Sequence, residues 1–279
     1  MGGAKVELGR RLFYDADLSI DGTMSCATCH QQRHGFTDGN ATRPGVLGDP
    51  GRRNIPGLAN VAYLAPLTWA DPRRTNLEGQ ALVPIFRLHP GEMGMDGKER
   101  ELIGRLERDR CYLQMFRRAF PETSGVIDMP AVSKALAAFE RSLVSFDSPF
   151  DRFARGDAAA LSPAAQAGSA LFRSHCVSCH AGRALTDARF HAIENGVGGA
   201  DQGLSEVTGD ARDAGKFRTP SLLNAALTAP YLHDGSAPTL RDAIARHTIA
   251  VPALDSFTQA QKAEILAFLE SLTDRKFVV

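Results

Sequence analysis

The sequence predicts a mainly α-helical protein made of two small domains with long loops. Apolar residues recur every three or four positions in several segments, and no segment of the 279 residues sustains the alternation typical of β-strands. An internal repeat adds to this: G-x-x-L-F followed by C-x-x-C-H occurs in residues 9–30 and again in 168–180. Two distant copies of one unit indicate two related domains, which we expect to span residues 1–155 and 156–279.

Helix signals occur in both predicted domains. Residues 129–146 carry one apolar face, formed by Val132, Leu136, Phe139, Leu143 and Phe146. Ser162 and Pro163 have the N-cap and first-turn chemistry of a helix start. Thr258 and Gln261 have the spacing of a capping box, which predicts a helix over residues 258–272.

A shorter helix start precedes one of the eight histidines. Thr239 and Asp242 have capping-box spacing, which would place His247 about two turns into a helix. The stretches rich in glycine and proline are 37–58, 66–97 and 195–220. Because these stretches also carry large apolar side chains, we expect them to be ordered loops.

The composition excludes two classes of partner. Lys and Arg number 32, as do Asp and Glu, so the basic excess typical of proteins that bind nucleic acid or anionic membranes is lacking. No run of apolar residues approaches 18, so the sequence predicts no membrane span. The first residues, MGGAKVELGRRLF, contain no apolar core of a signal peptide.

The two C-x-x-C-H motifs carry the chemistry. They are CATCH, with Cys26, Cys29 and His30, and CVSCH, with Cys176, Cys179 and His180. This is the attachment signature of haem c, in which two thiols add to the vinyl groups and the histidine becomes an axial iron ligand. A zinc site would need four ligands in tetrahedral reach, and a thioredoxin-like site would need a βαβ pattern that this sequence lacks.

Two covalently bound haem c groups are therefore the predicted cofactors, and they imply a periplasmic protein whose signal peptide has been removed. The fifth cysteine, Cys111, lies in the helical-looking stretch RDRCYLQMF, where we expect a buried structural thiol.

Several motifs together resemble the bacterial di-haem cytochrome c peroxidases and the related MauG-type enzymes. They are LGRRLFYDADLSIDGTMSCATCH, NIPGLANVAYLAPLTW, LEGQALVPI, HPGEMGM and GKFRTPSLLNAALTAPYLHDGSAPTL. The resemblance covers nearly the whole chain. It implies two cytochrome c-like helical domains, the N-terminal one with a peroxide-reactive haem and the C-terminal one with a six-coordinate electron-transfer haem.

In the N-terminal domain the resemblance implies that His30 is the proximal ligand and that Glu92 acts over the opposite face. Splitting a peroxide needs a group that takes a proton from one oxygen and delivers it to the other, and a partly buried carboxylate can do both. Gln80 and Pro84 are similar to residues that line the same pocket. The segment from Gln80 to Glu92 is longer than is usual in the family, and we expect His89, inside it, to lie on the surface.

Trp69 is the only tryptophan. The resemblance places it between the two haems, where an indole can relay an electron hole; a core tryptophan with a satisfied N–H is the structural alternative. Asn54, Thr228 and Pro230 resemble a calcium site between the haems, since oxygen ligands suit a hard cation.

In the C-terminal domain the resemblance makes His180 the proximal ligand. The family's sixth ligand lies fourteen residues after the histidine of HDG, a position that is His247 here, whereas classical peroxidases have methionine in that region and the MauG branch has tyrosine. His191, His233 and a surface role for His247 are the alternatives. Imidazole lowers the potential of a haem relative to methionine, which favours storage of oxidising equivalents.

The leading hypothesis is a peroxide-dependent oxidase of MauG type. Its substrates would be hydrogen peroxide and a protein partner, whose Trp or Tyr is oxidised by long-range electron transfer from two haems that store the oxidising equivalents. The alternative is a cytochrome c peroxidase that reduces hydrogen peroxide with electrons from a small cytochrome or cupredoxin. A third hypothesis is a non-enzymatic electron carrier in which both haem irons have two protein ligands.

Overall fold

The computed structural model describes residues 2–89, 91–193, 201–247 and 249–278. The α-helices in these residues are α1 (Gly3–Phe13), α2 (Cys26–Cys29), α3 (Leu77–Phe86), α4 (Glu99–Arg108), α5 (Arg110–Ala119), α6 (Met129–Glu140), α7 (Pro149–Ala154), α8 (Pro163–His175), α9 (Ser205–Thr208), α10 (Leu240–Ala245) and α11 (Gln259–Ser271). Two short strands, β1 (Phe190–His191) and β2 (Phe217–Arg218), pair antiparallel, with Phe190 opposite Arg218. The prediction of a mainly α fold is confirmed.

The N-terminal core forms where α1 crosses α6. Leu8, Leu12 and Phe13 of α1 pack with Leu136 and other buried residues of α6. The crossing depends on a glycine: a Cβ placed on Gly9 would lie 1.8 Å from the carbonyl oxygen of Ala135. The glycine of the first G-x-x-L-F unit therefore lets two backbones touch, and its phenylalanine fills the core beside them.

The C-terminal core repeats this arrangement with α8 and α11. A Cβ on Gly168 would lie 1.9 Å from the carbonyl oxygen of Glu264. Phe172 of the same unit packs against Phe268 of α11, with ring centroids 4.9 Å apart. The repeated sequence unit thus encodes a repeated helix crossing, one in each half of the chain.

Three predicted helix starts are confirmed by their caps. The side chain of Ser162 accepts a hydrogen bond from the backbone N–H of Ala165, with Pro163 in the first turn. Thr258 with Gln261, and Thr239 with Asp242, form capping boxes.

The helix predicted over residues 129–146 ends earlier, at Glu140. The chain then turns away, because the side-chain amide of Asn60 pairs with both backbone groups of Ser145, at 2.8 and 2.7 Å. Leu143 still lies in the N-terminal core, but Phe146 packs against the C-terminal core and under the guanidinium of Arg183. The regular spacing of apolar residues in this segment therefore extends past the end of the helix.

Two other expectations need correction. The stretch 66–97 is not only loop, because it contains α3. Asn76 is the N-cap of this helix, and its side chain accepts a hydrogen bond from the N–H of Gly79 at 2.7 Å. Cys111 is exposed rather than buried, because α5 turns Tyr112, Phe116 and Ala119 to the core.

The other two predicted loops agree with the structure in part. Residues 37–58 contain no helix or named strand. In 195–220, residues 195–200 lie outside the described part of the chain, and the remainder contains α9 and β2.

The boundary at residues 155 and 156 stays a prediction. Phe146 and Phe150, which precede it, pack against the C-terminal core. Across the described ranges, each helix is too short or too polar to cross a bilayer.

Candidate functional site

The first C-x-x-C-H motif forms a single helical turn that opens onto a cavity. Ser25 and Thr28 make a capping box around α2, which fixes the turn. Cys26 and Cys29 have free, partly buried sulfurs, and His30 follows as the C-cap. All three residues line a cavity of about 810 Å³. The turn thus presents two thiols and one imidazole to the same space.

The imidazole of His30 is oriented for ligation. Its Nδ1 lies 2.8 Å from the carbonyl oxygen of Phe36, so Nδ1 carries the hydrogen and Nε2 keeps its lone pair. Burial lowers the pKa of His30, against the opposing effect of the Phe36 carbonyl, so the ring is neutral at pH 7. Phe13 lies beside it, with ring centroids 6.3 Å apart.

Gln80, Pro84 and Glu92 line this same cavity. The loop that carries Glu92 is fastened to the end of α3: the N–H of Met93 donates to the Pro84 carbonyl at 2.9 Å, and that of Met95 to Ile85 at 3.0 Å. The last carbonyls of a helix have no partner within it, so they are available to hold such a loop. The chain therefore brings the predicted glutamate and the predicted helix together.

Two polar side chains of this cavity are available to a ligand. The side-chain oxygen of Gln80 is buried and finds no hydrogen bond within the described ranges. Burial raises the pKa of Glu92, with Arg87 opposing the shift. An amide oxygen without a hydrogen bond and a carboxyl whose pKa is raised fit a site that takes a polar ligand. His89, as expected, is on the surface, with its side chain 81% exposed.

The second C-x-x-C-H motif follows α8 and opens onto a cavity of about 610 Å³. Cys176, Cys179 and His180 line it. The Nδ1 of His180 lies 3.1 Å from the carbonyl oxygen of Leu185, which again leaves Nε2 free. Burial lowers the pKa of His180 to about 4, so this ring is neutral as well.

His247 faces His180 across this cavity. It lies in the turn after α10, which ends at Ala245, and so it is not two turns inside a helix as the capping box suggested. Its Nδ1 donates to the carbonyl of Ala243 at 2.7 Å, which leaves Nε2 free. The two ring centroids are 6.4 Å apart, with an interplanar angle of 48°.

This separation leaves room for one metal ion between the two imidazoles. With metal–nitrogen bonds of about 2 Å, the centroids of two imidazoles on opposite sides of an ion lie about 6 Å apart. The two other histidines of the cavity are engaged elsewhere. His191 pairs through Nε2 with Asp187 at 2.8 Å, and His233 stacks on Phe217 at 3.5 Å.

The donor sets do not fit a structural zinc site, which has four protein ligands. In the part of the chain that the structure describes, one group of three His, Cys, Asp or Glu residues has ligand atoms within 4.8 Å of one another: Cys179, Asp187 and His191. It offers three ligands, not four, and it lacks both Cys176 and the first motif. Two cavities, each with paired thiols and a neutral imidazole, fit haem instead.

Trp69 lines both cavities. Its indole N–H donates to the backbone carbonyl of Asn54 at 2.8 Å, and its own carbonyl accepts from Arg218 at 2.7 Å. The side chain is therefore fixed at the wall that the two cavities share, with its hydrogen-bonding group satisfied.

The three residues of the predicted calcium site line one cavity. Asn54, Thr228 and Pro230 line the C-terminal cavity. The amide nitrogen of Asn54 donates to the carbonyl of Asn40 at 2.9 Å, which leaves the amide oxygen as the atom for a cation. The hydroxyl of Thr228 donates to Ala225 at 3.1 Å. Calcium binding itself stays a prediction.

Sequence reasoning missed Glu140. It lines the N-terminal cavity, and burial raises its pKa to about 8. A signal existed: Glu140 lies four residues after Leu136 and three before Leu143, on the apolar face of the predicted helix.

The chain is similar in sequence to proteins of one known family. The profile of the family "Di-haem cytochrome c peroxidase" matches residues 3–159. The chain is 35% identical to the methylamine utilization protein MauG of Methylophilus methylotrophus, over 96% of this chain and 82% of that protein. It is 36% identical to the cytochrome c peroxidase Ccp of Escherichia coli, again over 96% of this chain but 58% of that protein.

A solved structure is similar throughout. It is the crystal structure of a MauG-like protein associated with microbial copper homeostasis. The TM-score is 0.93 at 37% identity, and the alignment covers 100% of this chain and 92% of the other. The cytochrome c-like helical fold implied by the sequence is confirmed.

Proposed function

The chain belongs to the di-haem cytochrome c peroxidase family, haem-dependent oxidoreductases that act with hydrogen peroxide, and we propose that it is an oxidase of the MauG type. The observation that carries this proposal is the pair His180 and His247, whose rings face each other 6.4 Å apart. His180 and His247 would together hold the second haem and leave no place on it for a small molecule, whereas the first cavity offers Glu92 and Gln80.

Two haems are implied by the family, and the residues fit them. Cys26 and Cys29 would hold one through its vinyl groups, and Cys176 and Cys179 the other, with His30 and His180 as proximal ligands. When bound, the haems supply the redox chemistry: two-electron reduction of peroxide at the first and one-electron exchange at the second.

At the first site, Glu92 moves the proton. As a carboxylate it takes a proton from the inner oxygen of the peroxide, and as the acid it returns that proton to the departing oxygen. Gln80 orients the peroxide, because its unpaired amide oxygen accepts a hydrogen bond from the O–H group. Pro84 and the buried side chain of Met93 exclude water from this wall.

At the second site, His247 sets the redox behaviour. An imidazole lowers the reduction potential of the iron that it ligates, relative to a methionine sulfur. A lower potential favours loss of an electron. His247 therefore suits this site to share an oxidising equivalent, and Trp69 at the common wall would relay it.

The substrate would be a protein with an oxidisable Trp or Tyr, since a second haem held by both His180 and His247 would leave no place for a small substrate, and oxidation would proceed at a distance. We propose a periplasmic location, because covalent haem attachment takes place there. A calcium ion held by Asn54, Thr228 and Pro230 would tie the loops between the two sites.

A second candidate is a cytochrome c peroxidase fed by a small electron-donor protein. The 36% identity to the E. coli peroxidase supports it as strongly as the identity to MauG supports the first. The two differ in the oxidation state that reacts with peroxide.

The test adds stoichiometric peroxide to the diferric holoprotein without a reductant and follows optical and EPR spectra. The MauG-type enzyme should respond directly, with ferric signals of both haems lost. We expect His247→Met to lose this direct reaction and to require prior reduction. His191→Gln, a histidine of the same cavity, is the matched control and should behave as the unmutated protein. An inert diferric protein that turns over only with reduced cytochrome would favour the second candidate.

A further inference from the structure

Glu140 is a half-buried acid to which the roles above assign no function. It is the last residue of α6, and it lines the N-terminal cavity together with Cys26 and Glu92. Within residues 2–89, 91–193, 201–247 and 249–278, its carboxyl has no hydrogen bond and no ion pair. Its carboxyl is therefore available to whatever occupies the cavity that it lines.

Glu140 lies where α6 packs on α3, the helix that carries two of the predicted peroxide residues. One turn earlier on α6, Ala137 packs with Leu77 of α3, the helix that bears Gln80 and Pro84. Residues three apart share a helix face, so Glu140 also faces α3. The charges of Glu140 and Glu92 both raise the pKa of the Cys26 thiol, after the larger effect of its burial, so the two carboxyls flank one attachment point.

The surroundings of Glu140 keep it protonated. Arg141, the adjacent cation, is engaged by Glu78 through two hydrogen bonds of 2.6 and 2.8 Å. The face of α1 packed on α6 is apolar. Burial raises the pKa of Glu140 to about 8, with Arg141 opposing and Glu78 adding to the shift. At pH 7 the side chain is thus predominantly a neutral acid.

The second half of the reaction with peroxide consumes protons, which such an acid can supply. Breaking the O–O bond needs no outside proton, because both hydrogens of the peroxide leave with the first water once Glu92 has moved one of them. The second oxygen leaves as water only after it receives two electrons and two protons. In long-range oxidation the electrons come from a distant protein substrate, so the protons must be supplied locally.

We propose that Glu140 donates one of these two protons into the N-terminal cavity. The O–H bond of Glu140 breaks, an O–H bond of the second water forms, and the carboxylate then recovers a proton from solvent. The other proton comes from solvent. This inference rests on the proposed function, and it assigns Glu92 and Glu140 to different halves of one reaction.

The two halves can be measured separately by sequential stopped-flow mixing of the diferric holoprotein. One equivalent of peroxide is added first, and ascorbate is added after the spectral change is complete. In Glu140→Gln, an isosteric replacement of a neutral acid, we expect the peroxide phase to keep its rate. The return to the diferric spectrum should slow by about tenfold or more below pH 8. In the unmutated protein that return rate should fall as pH rises through about 8, and Glu140→Gln should lose this decline.

Two further variants separate proton transfer from structure. Glu140→Asp keeps an acid and should restore part of the return rate. Glu78→Gln removes the negative charge that engages Arg141, so the pKa of Glu140 should fall and the decline should move to lower pH.

Three results would overturn the proposal. A Glu140→Gln variant with the unmutated return rate and pH profile would do so. Equal slowing of both phases without restoration by Glu140→Asp would assign a merely structural role. If the unmutated diferric protein lacks the first phase, the proposed function fails, and this proposal with it.

Discussion

The two halves of the molecule hold the histidine of their C-x-x-C-H motif in the same way, but they differ in the other residues that line each cavity. In each half a glycine permits a helix crossing, a phenylalanine lies beside the histidine, and a backbone carbonyl holds the histidine's Nδ1. The carbonyls are those of Phe36, 2.8 Å from His30, and Leu185, 3.1 Å from His180. Since these parts agree, they cannot explain why one site would react with peroxide and the other would pass electrons.

The difference comes from residues outside the repeat. The cavity of His30 is also lined by the acid of Glu92 and the amide of Gln80, held by α3 and its following loop. Opposite His180 lies the imidazole of His247, held by the turn after α10. A repeated scaffold thus orients the histidine that would ligate iron at both sites, and under the proposed function one further segment in each half decides whether the other face of the haem is open or closed.

The largest effect on the difference between the two sites is expected from a change at Glu92. Glu92→Gln removes the proton acceptor of the open site, and general acid–base catalysis is typically worth 10²–10⁴-fold. We expect the rate of peroxide reaction of the diferric protein to fall by about 10²-fold or more. Burial raises the pKa of Glu92, so the unmutated rate should rise with pH through a value above the ordinary glutamate range. Stopped-flow rates between acid and neutral pH check both statements.

The closed site provides the control for that variant. The EPR signal of the His180 haem should be unchanged in Glu92→Gln, because Glu92 lines the other cavity alone. A Glu92→Gln protein that reacts with peroxide at the unmutated rate would remove the basis for calling the first site the reactive one.

An effect of intermediate size is expected on stability, at the helix crossing that each half contains. Gly9→Ala and Gly168→Ala should each lower the free energy of unfolding by about 1–3 kcal/mol, since the added Cβ would lie 1.8 or 1.9 Å from a backbone oxygen. Gly104→Ala in α4 is the matched control, because its Cβ meets no atom within 4 Å. It should stabilise by about 0.5–1 kcal/mol. Denaturant unfolding of the holoprotein measures all three, and unequal losses at Gly9 and Gly168 would show that the repeat is not energetically equivalent.

Sequence patterns could predict the parts whose cause is local. The capping boxes at Thr239 and Thr258 need residues only three apart, and both form as predicted. The repeat predicted two similar units, because the glycine and phenylalanine of each one act through a single helix crossing.

The patterns failed where a distant residue decides. The helix expected to reach Phe146 ends at Glu140, because Asn60 captures the backbone of Ser145 across the fold. Likewise, Glu140 could be placed on an apolar face but not in a cavity, since the wall opposite it comes from α3. That His180 and His247 face each other also depends on a tertiary approach that spacing alone does not determine.

The smallest effect is expected at the wall between the two sites. Trp69→Phe keeps an aromatic ring in both cavities but removes the readily oxidised indole and its hydrogen bond to the Asn54 carbonyl. If Trp69 relays oxidising equivalents, the initial change at the first haem should keep its rate, and the later change at the second should slow by about tenfold, which is about 1.4 kcal/mol in activation free energy. Rapid freeze-quench EPR follows the two haems separately. Tyr231→Phe alters an aromatic that lines only the C-terminal cavity and should leave both rates unchanged. Unaltered transfer in Trp69→Phe would make Trp69 a packing residue and would leave the two halves to exchange electrons directly.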